Sequence, residues 1–239
     1  MPAQQEPKPS LNLISDKADN EAKYDLIIET AGYGLLDLSD RPDFRQMVLK
    51  AAGQQFDGDD NVLLKDLSVA CRNAGIDLAV EMKTSLQRNG HPELSQYVSE
   101  AINGFSYSGT TLYPQVYIPF IAGQDADHAP HIALNHDDNE TTLNTIRYSS
   151  NGAPLQGTAT AATAQQQLTW VISVNETVDA SGHVPLASSV QSMGAPYGSG
   201  TKSTWFALNQ VYITDPKETW FNGKSEISVV FKKLSKAIS

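Results

Sequence analysis

Oxygen-bearing side chains crowd two short stretches of this chain, and oxygen is the donor type that hard cations take. In FDGDDNVLLKDL, residues 56–67, Asp57, Asp59 and Asn61 stand at i, i+2 and i+4, the spacing with which calcium loops present their ligands. The match is incomplete. The twelfth position of such a loop would be Ser68 rather than Glu, and glycine does not hold the sixth. A second reading competes with calcium: Asp60 or Asn61 caps the helix that follows, with the other acids near its positive end. Capping accounts for these residues more simply.

The second stretch is GQDADHAPHIALNHDDNETT, residues 123–142. Asp125, Asp127, Asp137 and Asp138 are further candidate calcium ligands, and His128 with His131 could contribute to a transition-metal site. His131 and His136 flank one short strand, so at five residues apart they are expected on opposite faces. No HExxH or similar zinc-hydrolase spacing is present. The plainer reading is a solvated acidic loop between two strands.

Nucleophilic chemistry finds little support. Cys71, the single cysteine, falls on the apolar face of an expected helix, which suits a buried structural thiol better than a reactive one. The chain has no GxSxG elbow, no phosphate-binding glycine loop and no dinucleotide fingerprint. Trp170, Trp205 and Trp220 could line a sugar-binding face, but alternation puts Trp170 in an aliphatic row, where core is the default.

The elements that must position these residues fall into two textures. Residues 1–23 read as a flexible polar leader. Gly32 and Gly34 favour a turn within 31–38 over a long helix. A first helix is expected after Asp40, with Pro42 in its first turn and Phe44, Met47, Val48, Ala51 and Ala52 on one face. Others follow Asn61 (Leu63, Leu67, Ala70, Cys71, Ala74), cover 78–86, and open at Pro92 (Leu94, Tyr97, Val98, Ala101, Ile102). Beyond Phe105 the chain is rich in Thr, Ser, Val, Tyr and Trp, with strands expected at 116–121, 131–134, 143–148, 168–174, 205–213 and 226–234. Asn151-Gly152 and Asn222-Gly223 are favoured hairpin-turn pairs. The tracts 157–167 and 179–203 fit no element. The expected class is α+β: short N-terminal helices over 24–104 packed on a C-terminal antiparallel β-sandwich over 105–239, as one unit, because four short helices bury too little alone.

Composition narrows the partners. Hydrophobic residues are 40% and charged residues 18%, as in a folded globule. A net charge of −10 opposes phosphate backbones, so no nucleic-acid partner is expected. No apolar run approaches the roughly 20 residues of a transmembrane segment. The opening MPAQQEPKPS has neither the basic nor the apolar region of a secretory signal, which suits an internal protein or one whose leader has been removed.

Three segments, LYPQVYIPF (112–120), LTWVISVNET (168–177) and ETWFNGKSEISVVF (218–231), resemble an uncharacterised group of bacterial proteins, often exported or lipid-anchored. That group carries YPQxYIP, WVIxxNE and ExWxxGKxE motifs in this order, with an FDGD element upstream to which 56–67 is similar. The resemblance implies a surface or exported setting, and no catalytic residue carries over from it. The expectation is therefore a non-enzymatic binding module stabilised by calcium, with a protein, glycan or membrane partner. Two alternatives stand beside it: a pore-forming toxin that refolds the small polar tract 157–167, and a metal-dependent hydrolase built on the histidine–aspartate cluster.

Overall fold

The computed structural model of the chain describes residues 11–122, 124, 127–136, 141–148, 152–175, 178–179 and 181–183. Its first element is one long helix, α1 (Leu11–Ser39), where the sequence suggested a leader and then a turn. Tyr24, Ile27, Ile28, Ala31, Leu35 and Leu38 repeat at helical spacing and form its buried stripe. Lys23 is anchored by an ion pair to Glu100 at 2.7 Å, and Tyr24 packs edge-on against Phe105 and Tyr107.

Gly32 and Gly34 do not break α1; they let it approach its neighbours. A Cβ on Gly32 would lie 2.3 Å from Leu134 Cδ2, and one on Gly34 would lie 2.8 Å from Met82 Cε and 3.1 Å from Met82 Cβ. Each glycine costs about 1 kcal/mol of helix propensity. Close packing on both sides offsets it.

Four further helices follow: α2 (Pro42–Ala52), α3 (Leu64–Asn73), α4 (Leu78–Arg88) and, after a 3-10 turn at Pro92–Tyr97, α5 (Val98–Asn103). The buried faces of α2, α3 and α5 are close to those the spacing predicts, and Phe44, Val48, Leu67, Cys71, Met82, Leu94, Val98 and Ile102 lie in one cluster. Their ends differ. Arg41 rather than Asp40 occupies the N-cap of α2 and makes no side-chain cap bond. Leu63 occupies the N-cap of α3, because Asn61 to Leu63 form a short strand, β1 (Asn61–Leu63). The capping reading of Asp60 and Asn61 therefore fails.

The remaining strands are β2 (Phe105–Tyr107), β3 (Thr110–Tyr117), β4 (His131–Leu134), β5 (Leu143–Tyr148), β6 (Pro154–Ala159) and β7 (Thr169–Asn175). They make one sheet in the order β1-β3-β7-β4-β5-β6, with β2 also on β3. The tract 157–167 divides between β6 and a short helix, α6 (Ala161–Gln166). Thr160 and Thr163 open α6 with a reciprocal capping box, each hydroxyl accepting the other's backbone N–H. This turn lets the chain return, so that β7 enters between β3 and β4 and pairs with β4 in parallel, Ile132 opposite Trp170.

The class is α+β, as expected. The wholly antiparallel sandwich is not what the described residues form: they form a mixed sheet with α1 to α5 on one face. The expected strands 205–213 and 226–234, with Trp205 and Trp220, lie outside the described residues. On the helix side Val116, Ile118, Ile132, Leu134, Ile146, Trp170 and Ile172 join the helices in the main core, where Trp170 meets Phe44 edge-on. On the other side Ala133, Leu143 and Val171 form a small cluster with Tyr117. Among the described residues no helix is long and apolar enough to cross a membrane.

Gly34→Val should lower unfolding free energy by about 2 kcal/mol, because branched carbons must displace Met82 rather than fill space. Urea denaturation would measure this. An unchanged midpoint would mean that α1 and α4 are not held as closely as described.

Candidate functional site

The FDGDDN loop meets the sheet through the Asp57 carboxylate and through its backbone. Gly58 holds φ +101 with open space where its Cβ would be, so the turn requires glycine for its conformation. That turn brings the Asp59 amide to 3.1 Å from Asp57 Oδ1, an Asx turn. Asp57 Oδ2 accepts from Asn61 Nδ2 at 2.9 Å and from Asn175 Nδ2 at 2.7 Å. The loop is also tied by its backbone, with the Ile118 amide donating to the Asp60 carbonyl at 2.8 Å.

Strand register assembles the rest. β3 pairs with both β1 and β7, which sets Asn61 opposite Tyr117 and Gln115 opposite Ser173. On the face away from the helices, Gln115 Nε2 donates to Ser173 Oγ at 3.0 Å, and Asn175 Nδ2 donates to Gln115 Oε1 at 2.8 Å. Asn175 Oδ1 accepts from the Val178 amide at 3.1 Å. Asn61, Gln115, Ser173 and Asn175 are all buried. The network thus joins residues 57, 61, 115, 173 and 175, drawn from three of the segments singled out by their motifs. Within it Asn61 Oδ1 is buried with no hydrogen-bond partner.

The phenol of Tyr117 is pushed up to about 12, mainly by burial and further by the Asp59 and Asp60 carboxylates beside it. The Cys71 thiol is raised to about 11 by burial and lies 3.7 Å from Met47 Sδ, the inert packing expected for it.

The second acidic stretch is drawn elsewhere. Asp125, Asp137 and Asp138 lie outside the described residues. Asp127 and His128 are exposed, and the Asp127 carbonyl accepts from Arg45 Nη2 of α2 at 3.2 Å. His136 Nδ1 lies 3.0 Å from Asp25 of α1, on the helix side, whereas His131 shares the opposite face of β4 with Ala133. So the contacts of the Asp57 group run to β3 and β7, and those of Asp127 and His136 run to α2 and α1. Among the described residues no group of three or more His, Cys, Asp or Glu side chains is placed to hold a metal ion.

A second polar cluster was invisible in the sequence. Asp37 of α1 accepts from Arg88 and Asn89 at the end of α4 and from the Tyr148 hydroxyl of β5. Ser85 Oγ donates to the Tyr33 carbonyl at 2.6 Å and accepts from the Asp37 amide at 3.3 Å, so it sits within the hydrogen-bond ladder of α1. The Tyr148 phenol is pushed up to about 12, first by burial and then by its bond to Asp37. These residues are far apart along the chain, and no local spacing signals their meeting. They fasten α1 and α4 to the sheet.

Comparisons with protein-family models, with curated proteins and with solved structures give no match to the chain.

Asp57→Ala should destabilise the fold by about 3 kcal/mol, since it removes a charged acceptor and leaves two buried amides short of a partner. A double-mutant cycle with Asn175→Ala should show coupling of about 1 kcal/mol or more in chemical denaturation. Additive effects would mean that the network does not hold the loop. Burial, and then Arg147, hold the His131 imidazolium below the usual histidine range. The unfolded chain therefore binds the extra proton first, and stability present above about pH 6.5 is lost as pH falls below it. His131→Gln should flatten that part of a melting-temperature profile between pH 7 and 5; an unchanged slope would remove His131 as its source.

Proposed function

We propose that this chain is a non-enzymatic binding module of a bacterial surface or exported protein, with the 57–61 loop as its stabilised recognition element. The observation that carries this reading is the convergence on Asp57. The FDGD, YPQ and WVIxxNE segments resemble one bacterial group in sequence, and here their polar side chains share one network. What they assemble is suited to holding a loop still. Amides and a serine hydroxyl predominate, both Asp57 oxygens receive donors, and the nearby phenol stays protonated at neutral pH. None of these is the poised acid, base or nucleophile that catalysis would call on.

Calcium is the ion we assign to this loop. Asn61 Oδ1 is an oxygen donor buried without a partner on a carboxamide whose nitrogen already bonds Asp57. Asp57, Asp59 and Asn61 supply the oxygen chemistry such an ion takes, and binding would stabilise the native state by mass action. The partner it would help present is a protein, glycan or membrane surface.

Melting of the whole chain in millimolar calcium and in excess chelator tests the ion. A rise of several degrees with calcium is expected, absent from Asn61→Ala. Equal melting in both conditions would sink the calcium assignment and leave the binding module standing. That reading falls separately, if a panel of esterase, glycosidase and peptidase substrates reveals turnover that Asp57→Asn abolishes.

A further inference from the structure

The two ends of the sheet are unlike. At one end β1 is three residues long, fully buried and backed by α2. At the other, β6 is six residues long, and Pro154, Leu155, Gln156, Gly157 and Thr158 are all exposed. β5 takes one edge of β6 along its whole length, Tyr148 opposite Pro154 through Leu143 opposite Ala159. Among the described residues no strand takes the other edge. Alternate residues of an antiparallel strand turn their N–H and C=O groups outward, so this edge presents a row of backbone donors and acceptors that no strand among the described residues takes.

Edge strands are normally guarded by charged side chains, bulges or prolines. Here the only such guard is Pro154, at the first position. Between Arg147 and Glu176 the chain has no charged side chain at all, although its net charge is −10. Leu155, 42% exposed, adds an apolar side chain to the strand.

We propose that β6 is a homodimerisation edge, pairing antiparallel with β6 of a second copy to continue the sheet across a two-fold axis. Charge selects this occupant. Two copies of an acidic protein repel over most of their surface, and this uncharged strand is where they can meet without like charges facing each other. A two-fold axis perpendicular to the sheet makes a strand antiparallel to itself and keeps matching faces together, which is the isologous geometry of most dimers. Centred on Gly157, the pairing sets Gln156 opposite Thr158 of the second copy, on one face. The glycines cross at the axis, where the missing side chains leave the strands free to close.

Sedimentation velocity on the whole chain, from low micromolar to millimolar concentration, tests this. A reversible monomer–dimer equilibrium is expected. The double substitution Gln156→Lys with Thr158→Lys puts like charges across the seam at exposed positions and should raise the dissociation constant about tenfold or more. Circular dichroism and melting should show its fold intact. Mixing that variant with Gln156→Glu/Thr158→Glu should restore a dimer containing one of each. A chain that stays monomeric throughout overturns self-pairing. A dimer indifferent to both substitutions overturns β6 as the seam.

Discussion

Helix α1 can bury its apolar stripe only by lying close to both α4 and the sheet, and nearly every other contact depends on that placement. Its residues Ile27, Ile28, Ala31, Leu35 and Leu36 are wholly buried among side chains from the other helices and from β4, β5 and β7. Close approach imposes its own requirements. Where α1 meets Leu134 and Met82 it has no side chain, and where Ser85 reaches its backbone the hydroxyl both donates and accepts. Fastened by Asp37 to Arg88, Asn89 and Tyr148, α1 fixes the helix layer on one sheet face. The polar network then has the other face.

That division gives the two faces different chemistry. The helix side is aliphatic and aromatic, as hydrophobic burial requires. The far side carries a small apolar cluster and, beside it, a row of amides. Buried amides are tolerated only when their hydrogen bonds are made, and Asn175 meets that demand with both hydrogens and its oxygen. Where the bonds are made, as at Asn175, they specify one arrangement of the loop rather than many. The parallel junction of β4 and β7 matters here, because β7 must sit next to β3 for Asn175 and Ser173 to reach Gln115.

Much of this architecture is encoded in local pattern. The apolar faces of α2, α4 and α5 follow helical spacing, and β4, β5 and β7 lie within a residue of where alternation put them. Asp57, Asp59 and Asn61 stood out by their spacing. What misled was glycine in α1, whose steric role looks the same in sequence as a turn signal. Equally, the three residues of β1 are too few to alternate, so Asp60 and Asn61 resembled helix caps.

Sequence by itself determined the α+β class, the acidic surface, the inert place of Cys71 and the core position of Trp170, because each follows from composition or from a period of two or 3.6 residues. Tertiary structure alone decided that α1 runs unbroken past its glycines. It also decided that β7 inserts in parallel beside β4, that Asp57 gathers Asn61 and Asn175, and that β6 stands at the end of the sheet the described residues form. Those outcomes depend on which strands lie side by side and how closely helices approach. A linear pattern encodes which face of an element is apolar, but not which distant element will cover it.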